Sequence, residues 1–351
     1  MELTRYRLAL AGFGSVGQGL AQIIHSHSAR LVRQYGVELS IVAVAARSWG
    51  AYDPRGLDPQ ALLEAARARD LGRVPHPRRW DALEMIASAE ADVLIEVTPT
   101  DLADGEPATS HVRAAFGRGW HVVTANKGPV ALHLAALRRE AAAAGVFFGF
   151  EGTVMGGTPA LRLGMTDLAG CSVAEVRGIV NGTTNYILTQ MEQGMSYEEA
   201  LRQAQELGYA EADPSGDVEG HDAAAKAAIL ANALMDASLT PGDVEREGIT
   251  GLTSDAVAAA QSAGERWKLI ARVWREGEAV RASVRPLRLP LSHPLAAVAG
   301  ATNAITFTTD LLGDVTLVGP GAGGVPTGFA LLSDLLELHR TNTRYRAPRH
   351  E

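Results

Sequence analysis

Gly12, Gly14 and Gly17 stand in the order G-x-G-x-x-G, as Gly12-Phe13-Gly14-Ser15-Val16-Gly17, directly after an apolar run and at the head of a helical pattern. In that setting each glycine has a physical use. Gly12 permits a tight turn, Gly14 lets backbone approach a pyrophosphate, and Gly17 lets helix and strand pack closely, while the first helical N–H groups face the phosphates. The pattern predicts dinucleotide binding by Gly12, Phe13, Gly14, Val16 and Gly17. Nicotinamide dinucleotides differ at the adenosine ribose, where an acid after the second strand holds a free 2′-hydroxyl and an arginine accommodates a 2′-phosphate. Here that strand runs out through Val44-Ala45-Ala46-Arg47-Ser48, with no acid at the expected place. Arg47 points to NADP as the preferred cofactor; read instead as a solvated strand-end residue, it also allows NAD.

Two further apolar runs end in Ile95-Glu96-Val97-Thr98-Pro99 and Val122-Val123-Thr124-Ala125-Asn126-Lys127. Both open onto the carboxyl edge where ligands of open parallel sheets bind, which puts Thr98 and Lys127 near a nicotinamide. A lysine after a strand is also the ordinary solvated cap.

Residues 207–226 concentrate carboxylates in a loop, including Glu211, Asp213 and Asp217, and then set Asp222 and Lys226 four apart on a helical pattern. Residues at i and i+4 share one helix face. A substrate ammonium needs carboxylate partners, and an alcohol that becomes a carbonyl needs a proton acceptor within reach. The same residues, taken by themselves, read first as a solvated acidic loop with a surface ion pair worth under about 1 kcal/mol. Asn181-Gly182-Thr183-Thr184-Asn185 follows a strand at 175–180 and opens a helix. Its hydroxyls and unpaired N–H groups can bind substrate, or Thr183 or Thr184 can cap the helix.

The elements that must position these groups alternate through the first 150 residues. Strands are expected near Leu8, Val42, Val93, Val122 and Phe147, with helices over 16–35, 58–69, 109–119 and 130–145. Such alternation predicts an α/β fold, a Rossmann-type doubly wound parallel sheet, as a dinucleotide-binding domain over 1–150. A second, α+β domain for substrate binding and dimerisation is expected over 151–318. Its strands are expected at 269–274, 279–289, 303–309 and 315–318. Ser196 with Glu199 reads as a capping box opening a helix that Gly208 closes. A further helix is expected over 221–237. The glycine-rich stretch 319–324 leads into a last helix at 327–338, so that 319–340 returns to the first domain, and 341–351 is expected to be a solvated tail.

The composition narrows the class. The 351 residues are 46% hydrophobic and carry a formal charge of −8 with no basic block, which argues against nucleic-acid and anionic-membrane partners. No signal-peptide pattern precedes the first apolar run and no run is long enough to span a membrane, so a cytoplasmic protein is expected. Cys171 is the only cysteine, which excludes an internal disulfide and a thiolate metal cluster within one chain.

From residue 6 to about 338 the chain resembles the homoserine dehydrogenases. The likeness rests on the 12–17 turn, Thr124-Ala-Asn126-Lys127, Asn181-Gly-Thr-Thr-Asn-Tyr-Ile187, Gly208-Tyr-Ala-Glu211 through Lys226, and Gly319-Pro-Gly321-Ala-Gly323-Gly with Thr327 and Asp334. The resemblance implies that Lys226 and Lys127 are the catalytic lysines, Lys226 being the principal proton donor and acceptor. It implies substrate binding by Glu211, Asp222, Tyr209, Thr184 and Gly182, and extends the cofactor site to Thr98, Lys127, Gly321 and Gly323. It also implies a monovalent cation, usually sodium, held by Glu151 and the carbonyls of Val154, Gly156 and Thr158, an oxygen set that suits a hard ion. The assembly implied is a homodimer or homotetramer. Many members carry a further regulatory domain, which is not expected here because the chain stops soon after the last helix.

The activity implied is interconversion of homoserine and aspartate semialdehyde, in threonine, methionine and isoleucine biosynthesis, by direct hydride transfer. That chemistry needs no nucleophilic cysteine, unlike a phosphorylating aldehyde dehydrogenase, and Cys171 lies outside every site motif. The alternatives are a dehydrogenase of another small amino acid, such as aspartate, and a dinucleotide-binding regulatory protein without turnover.

Overall fold

Residues 3–68 and 71–345 are described in a computed structural model. The chain divides into two compact units, one holding the chain up to Thr153 and from Gly323 onward, the other spanning Val154–Ala322.

In the first unit, β1 (Thr4–Ala11), β2 (Val37–Ala45), β3 (Gly50–Tyr52), β4 (Pro77–Arg78), β5 (Val93–Glu96), β6 (His121–Thr124) and β7 (Phe148–Gly149) form one sheet in the order β4-β3-β2-β1-β5-β6-β7. The five strands from β2 to β7 are parallel, and β3 and β4 add an antiparallel edge. Register brings the strand ends level: Ala11 lies beside both Ala45 and Glu96, and Glu96 beside Thr124. The Gly12 turn, the Arg47 bend and the Thr98 and Lys127 segments therefore leave the sheet along one edge.

Helices cover both faces, which is why the central strands read as unbroken apolar runs. One core joins β1 and β2 to α1 (Ser15–Tyr35), α2 (Pro59–Ala68) and the final helix Gly324–Tyr345. The other packs α3 (Ala82–Ser88), α4 (Ala108–Gly117) and α5 (Lys127–Ala144) on the opposite face. The final helix crosses α1 at glycines: a Cβ on Gly19 would stand 2.0 Å from the Gly324 carbonyl oxygen, and one on Gly328 2.6 Å from the Leu20 nitrogen. That approach buries Leu331, Leu335 and Leu338 completely, each contributing about 1.5–3 kcal/mol.

The expected elements form, with several differences. Helix α5 starts at Lys127 rather than at 130, because the Asn126 side chain accepts from the Gly128 N–H at 3.0 Å and caps it. Pro129 sits in the first turn, where its missing N–H costs no bond. The short strands β3 and β4 and helix α3, opened by an Asp81–Glu84 capping box, were not expected. Arg69, the end of the helix expected over 58–69, lies outside the described residues. The final helix runs through residues 341–345, part of the expected tail; residues 346–351 lie outside the description.

The second unit holds β8 (Val173–Ile179), β9 (Glu245–Arg246), β10 (Glu265–Glu276), β11 (Ala279–Pro290), β12 (Thr302–Thr309) and β13 (Gly313–Pro320) in the order β13-β12-β8-β10-β11-β9. All pairings are antiparallel except that of β9 with β11. Its helices are α6 (Ala160–Arg162), α7 (Gly182–Glu192), α8 (Tyr197–Glu206), α9 (Ser215–Val218), α10 (His221–Leu234) and α11 (Ser254–Ser262). The Ser196–Glu199 capping box opens α8, and Gly208 follows its end with a φ of 76°. Helix α10 stops before 237: Asp236 turns left-handed, and the Asn232 side chain bonds both the carbonyl and the N–H of Leu239, at 2.7 and 2.8 Å, in place of another helical turn. Among the described residues no helix is long and apolar enough to cross a membrane.

Candidate active site

The glycine turn of the first unit fits a dinucleotide. Gly12 has φ +97°, and a Cβ there would strike the Val97 carbonyl oxygen at 2.5 Å. A Cβ on Gly17 would meet the Gly12 carbonyl oxygen at 2.9 Å, so helix and turn pack at glycine distance. A Cβ on Gly14 would meet nothing within 4 Å; the space lies open over the N-cap of α1, whose first turn holds no acid to compete with a phosphate. Phe13 turns its ring inward against Trp49, 5.4 Å between centroids, and Val16 packs on the same core, which leaves their backbone for the ligand. Arg47 is exposed in the bend after β2.

At the end of β5, the Thr98 hydroxyl donates to Glu96 Oε1, and the Asn126 amide donates to the Thr98 carbonyl at 3.1 Å and hydroxyl at 3.3 Å. Asn126 caps α5, so Lys127 is the first helical residue and is half-buried. Glu96 is fully buried, with His111 Nδ1 at 3.3 Å from Oε1. Neither Glu96 nor His111 stood out in the sequence; Glu96 reads as the polar end of an apolar strand.

In the second unit, Lys226 lies on α10 with its side chain 10% exposed. Its ammonium donates to Asp222 Oδ2 and to the Val180 carbonyl, both at 2.7 Å. Asn181 caps α7, its Oδ1 accepting from the Thr184 N–H at 2.9 Å, while its Nδ2 donates to Asp217 at 2.6 Å and to Asp222 at 3.0 Å. Two carboxylates, an amide and a lysine thus converge from α7, α9 and α10. Burial and the nearby Asp222 charge push the Asp217 carboxyl above the usual carboxylate range, opposed by the Asn181 hydrogen bond and by Lys226.

The expected roles distribute unevenly over this cluster. Asp222 and Lys226 are at its centre. Neither threonine caps α7: the Thr183 hydroxyl donates to the Tyr209 carbonyl at 2.7 Å, and that of the fully buried Thr184 to the Asn181 carbonyl at 3.1 Å. Gly182 opens α7, Tyr209 stacks beside Tyr186, and Glu211 is exposed. Asp217 and Asn181 belong to the cluster without having been singled out as binding residues. Asp217 was one acid among several in the loop, and only the turn through α9 selects it.

Glu151, Val154, Gly156 and Thr158 are all buried and follow one another along the chain. Met155 and Gly156 are both left-handed, with φ of 57° and 52°, which sharply reverses the backbone there. The Glu151 carboxylate and the three carbonyls are all oxygen donors, the kind a hard cation takes. A Cβ on Gly321 would run into the Asn303 amide at 2.1 Å, so this position of the glycine-rich stretch admits no side chain. Gly323, with φ +126°, precedes the final helix.

The chain is similar to known proteins along nearly its whole length. Residues 159–336 match the homoserine dehydrogenase family, and residues 12–151 match the NAD-binding domain of homoserine dehydrogenase. A NAD(+)-dependent homoserine dehydrogenase of Pseudomonas canavaninivorans is 46% identical over 346 residues, covering 97% of this chain and 98% of its own. The structure of a homoserine dehydrogenase from Thiobacillus denitrificans superposes with a TM-score of 0.86 at 32% identity, covering 99% of this chain and 77% of that one. A hyperthermophilic archaeal homoserine dehydrogenase in complex with NADPH superposes with a TM-score of 0.82 at 29% identity, covering 98% and 99%. The glycine turn, the lysine–carboxylate cluster and likeness along nearly the whole length lead to one conclusion: the chain belongs to the homoserine dehydrogenase family of NAD(P)-dependent oxidoreductases.

Proposed function

We propose that Lys226 moves the hydroxyl proton as the chain interconverts L-homoserine and L-aspartate 4-semialdehyde. The observation that carries this reading is the hydrogen-bonded run Lys226–Asp222–Asn181–Asp217, with steps of 2.7, 3.0 and 2.6 Å. A bound nicotinamide supplies a hydride acceptor for the carbinol carbon. In the oxidative direction Lys226 in its amine form takes the hydroxyl proton as that carbon becomes an aldehyde; in the reductive direction its ammonium form returns a proton to the aldehyde oxygen. Asp222 holds the Lys226 ammonium in one rotamer, and Lys127 helps to polarise the oxygen. The carboxylates of Asp217, Asp222 and Glu211 offer acceptors to the substrate ammonium, beside Tyr209, Gly182 and Thr184.

Unit 1 takes the dinucleotide on the 12–17 turn, with Arg47 at the adenosine ribose, Thr98 and Lys127 at the nicotinamide end, and Gly323 at the head of the final helix; the family likeness assigns Gly321, of the second unit, to cofactor binding as well. Arg47 in place of an acid favours NADP, while the Pseudomonas canavaninivorans relative is NAD(+)-dependent. Glu151 with the carbonyls of Val154, Gly156 and Thr158 would hold a monovalent cation, sodium by its oxygen donors. The enzyme works in the cytoplasm as a homodimer or homotetramer built through the second unit.

The test is turnover of purified protein with homoserine and either NADP or NAD, followed by appearance of the reduced nicotinamide, with aspartate as the competing substrate. Turnover of homoserine well above that of aspartate is expected. Preference for aspartate, or none for either, would refute the reading.

A further inference from the structure

Glu96 is fully buried at the end of β5, yet its side chain is not hydrogen-bonded evenly. Oε1 receives the Thr98 hydroxyl, the Thr98 N–H at 3.4 Å and His111 Nδ1 at 3.3 Å, while Oε2 is buried with no hydrogen-bond partner among the described residues. A buried carboxyl kept only for stability would use both oxygens, since each unpaired one costs desolvation. Here every bond is loaded on the oxygen that faces Thr98. His111, only 4% exposed and reaching in from α4, fixes that oxygen from the other side; a carboxylate only accepts, so the ring donates from Nδ1.

The chain of contacts leads outward from there. Thr98, held by Glu96, accepts from the Asn126 amide at both its carbonyl and its hydroxyl, with the Pro99 carbonyl a further acceptor at 3.3 Å. A second link joins the same two strands, since the Thr124 hydroxyl donates to the Glu96 carbonyl at 2.9 Å and accepts from the Asn126 N–H at 2.9 Å. Asn126 in turn caps α5, whose first residue is Lys127. We propose that Glu96, oriented by His111, is a positioning residue of the reaction: it fixes Thr98, and through Asn126 the start of α5, so that Thr98 and Lys127 are presented at the sheet edge. It touches neither substrate nor cofactor itself.

The inference rests on Thr98 and Lys127 serving the nicotinamide end, and its test separates the two readings. Glu96→Met nearly conserves volume and removes the acceptor. Replacing a buried charged group by a packed apolar one is often neutral for stability, so the variant is expected to fold. It should lose at least about tenfold in kcat for homoserine, the size of effect a misplaced reacting group produces. Affinity for ADP-ribose, which carries the adenosine half of the cofactor without the nicotinamide, should stay within about twofold because that half uses other residues. Glu96→Gln, whose amide oxygen still accepts from Thr98, should recover most of the loss. A folded Glu96→Met with wild-type kcat, an equal loss of ADP-ribose affinity, or no recovery in Glu96→Gln would each overturn the proposal. Should Glu96→Met not fold, His111→Asn against His111→Leu repeats the comparison, since Asn keeps a donor where Nδ1 stands; equal kcat in that pair overturns it as well. A wild-type protein that does not turn over homoserine would instead remove the functional reading beneath it.

Discussion

Asp217 and Asp222 share one donor: the Asn181 amide nitrogen lies 2.6 Å from the first and 3.0 Å from the second. Only Asp222 is also paired with Lys226, at 2.7 Å. The two carboxyls are therefore unequal, and Asp217, pushed up by burial and by its neighbour's charge, is the one that gains most from a substrate ammonium.

The first prediction uses that inequality. A carboxyl whose folded value lies above its unfolded one binds protons more tightly in the native state, so its contribution is fully present below the unfolded value and is lost as pH rises through the folded one. Asp217→Asn should therefore raise Tm at neutral pH, with the gain shrinking as pH falls toward the ordinary aspartate range. The same change should raise KM for homoserine by about 10-fold to 100-fold, the worth of a charge-assisted hydrogen bond of about 1.5–3 kcal/mol. Thermal melts at several pH values, together with KM, check it; a Tm gain independent of pH would contradict the assignment.

A second prediction concerns Lys268, fully buried in β10, where it donates to the Val298 carbonyl at 2.8 Å and to Asn185 at 3.2 Å and lies 3.9 Å from Glu192. Burial pushes Lys268 down and Glu192 up, each resisted by the other's charge. For Lys268 the sign is opposite to that of Asp217: stability rises with pH between its folded value and the ordinary lysine value, because the unfolded chain binds the extra proton there. Lys268→Met alone strands Glu192 and should cost about 3–5 kcal/mol, the usual loss on breaking a buried pair. Adding Glu192→Gln should restore about 0.5–3 kcal/mol, the range of coupling for residues in contact. Denaturant unfolding of the two singles and the double measures it, and strict additivity would mean that the two charges do not interact.

How much of this was legible in the sequence follows from where the information lies. The glycine turn could be read because each glycine answers a local steric demand, and the parallel strands because burial on both faces leaves apolar runs such as 8–11. Lys226 and Asp222 could be paired because i and i+4 share a helix face. The missed features depend on contacts between distant segments. Asp217 meets Asn181 only through the turn of α9, and Lys268 reads as one charged residue in a strand until the packing of α7, which brings up Asn185 and Glu192, encloses it. Likewise Glu96 and His111 are joined across the packing of α4 on β5. The start of α5 was misplaced because Gly128-Pro129 resembles a helix breaker, whereas Pro is tolerated in a first turn.

The cofactor prediction follows from Arg47, exposed in the bend after β2 where an acid would hold a free 2′-hydroxyl. Arg47→Ala should weaken NADP by about tenfold or more, the worth of one charge-assisted hydrogen bond, and leave NAD within about twofold. Titration of each cofactor against both proteins gives the answer. Equal losses would remove Arg47 from the adenosine end, and the fall in NADP affinity should be smaller at high salt, where an exposed charge is screened.

Lys226 carries the last prediction. Its ammonium is held by two acceptors, Asp222 Oδ2 and the Val180 carbonyl, so its position does not depend on substrate. A residue that only stabilised the fold would show its loss in Tm, whereas a proton-transfer group shows it in kcat. Lys226→Ala should lower kcat by about 100-fold to 10,000-fold, the range for a positioned general acid or base, with affinity for the nicotinamide cofactor near wild type. Asp222→Asn keeps the shape and an acceptor oxygen but removes the charge that orients the ammonium, so it should lower kcat less than Lys226→Ala. Steady-state kinetics on both variants, with Tm measured alongside, tests the ordering. If Lys226→Ala retains more than about a tenth of the wild-type rate, a loss below the general acid–base range, another group moves the proton. Lys127 is then the residue to substitute next, because it is the other lysine assigned to the reacting oxygen.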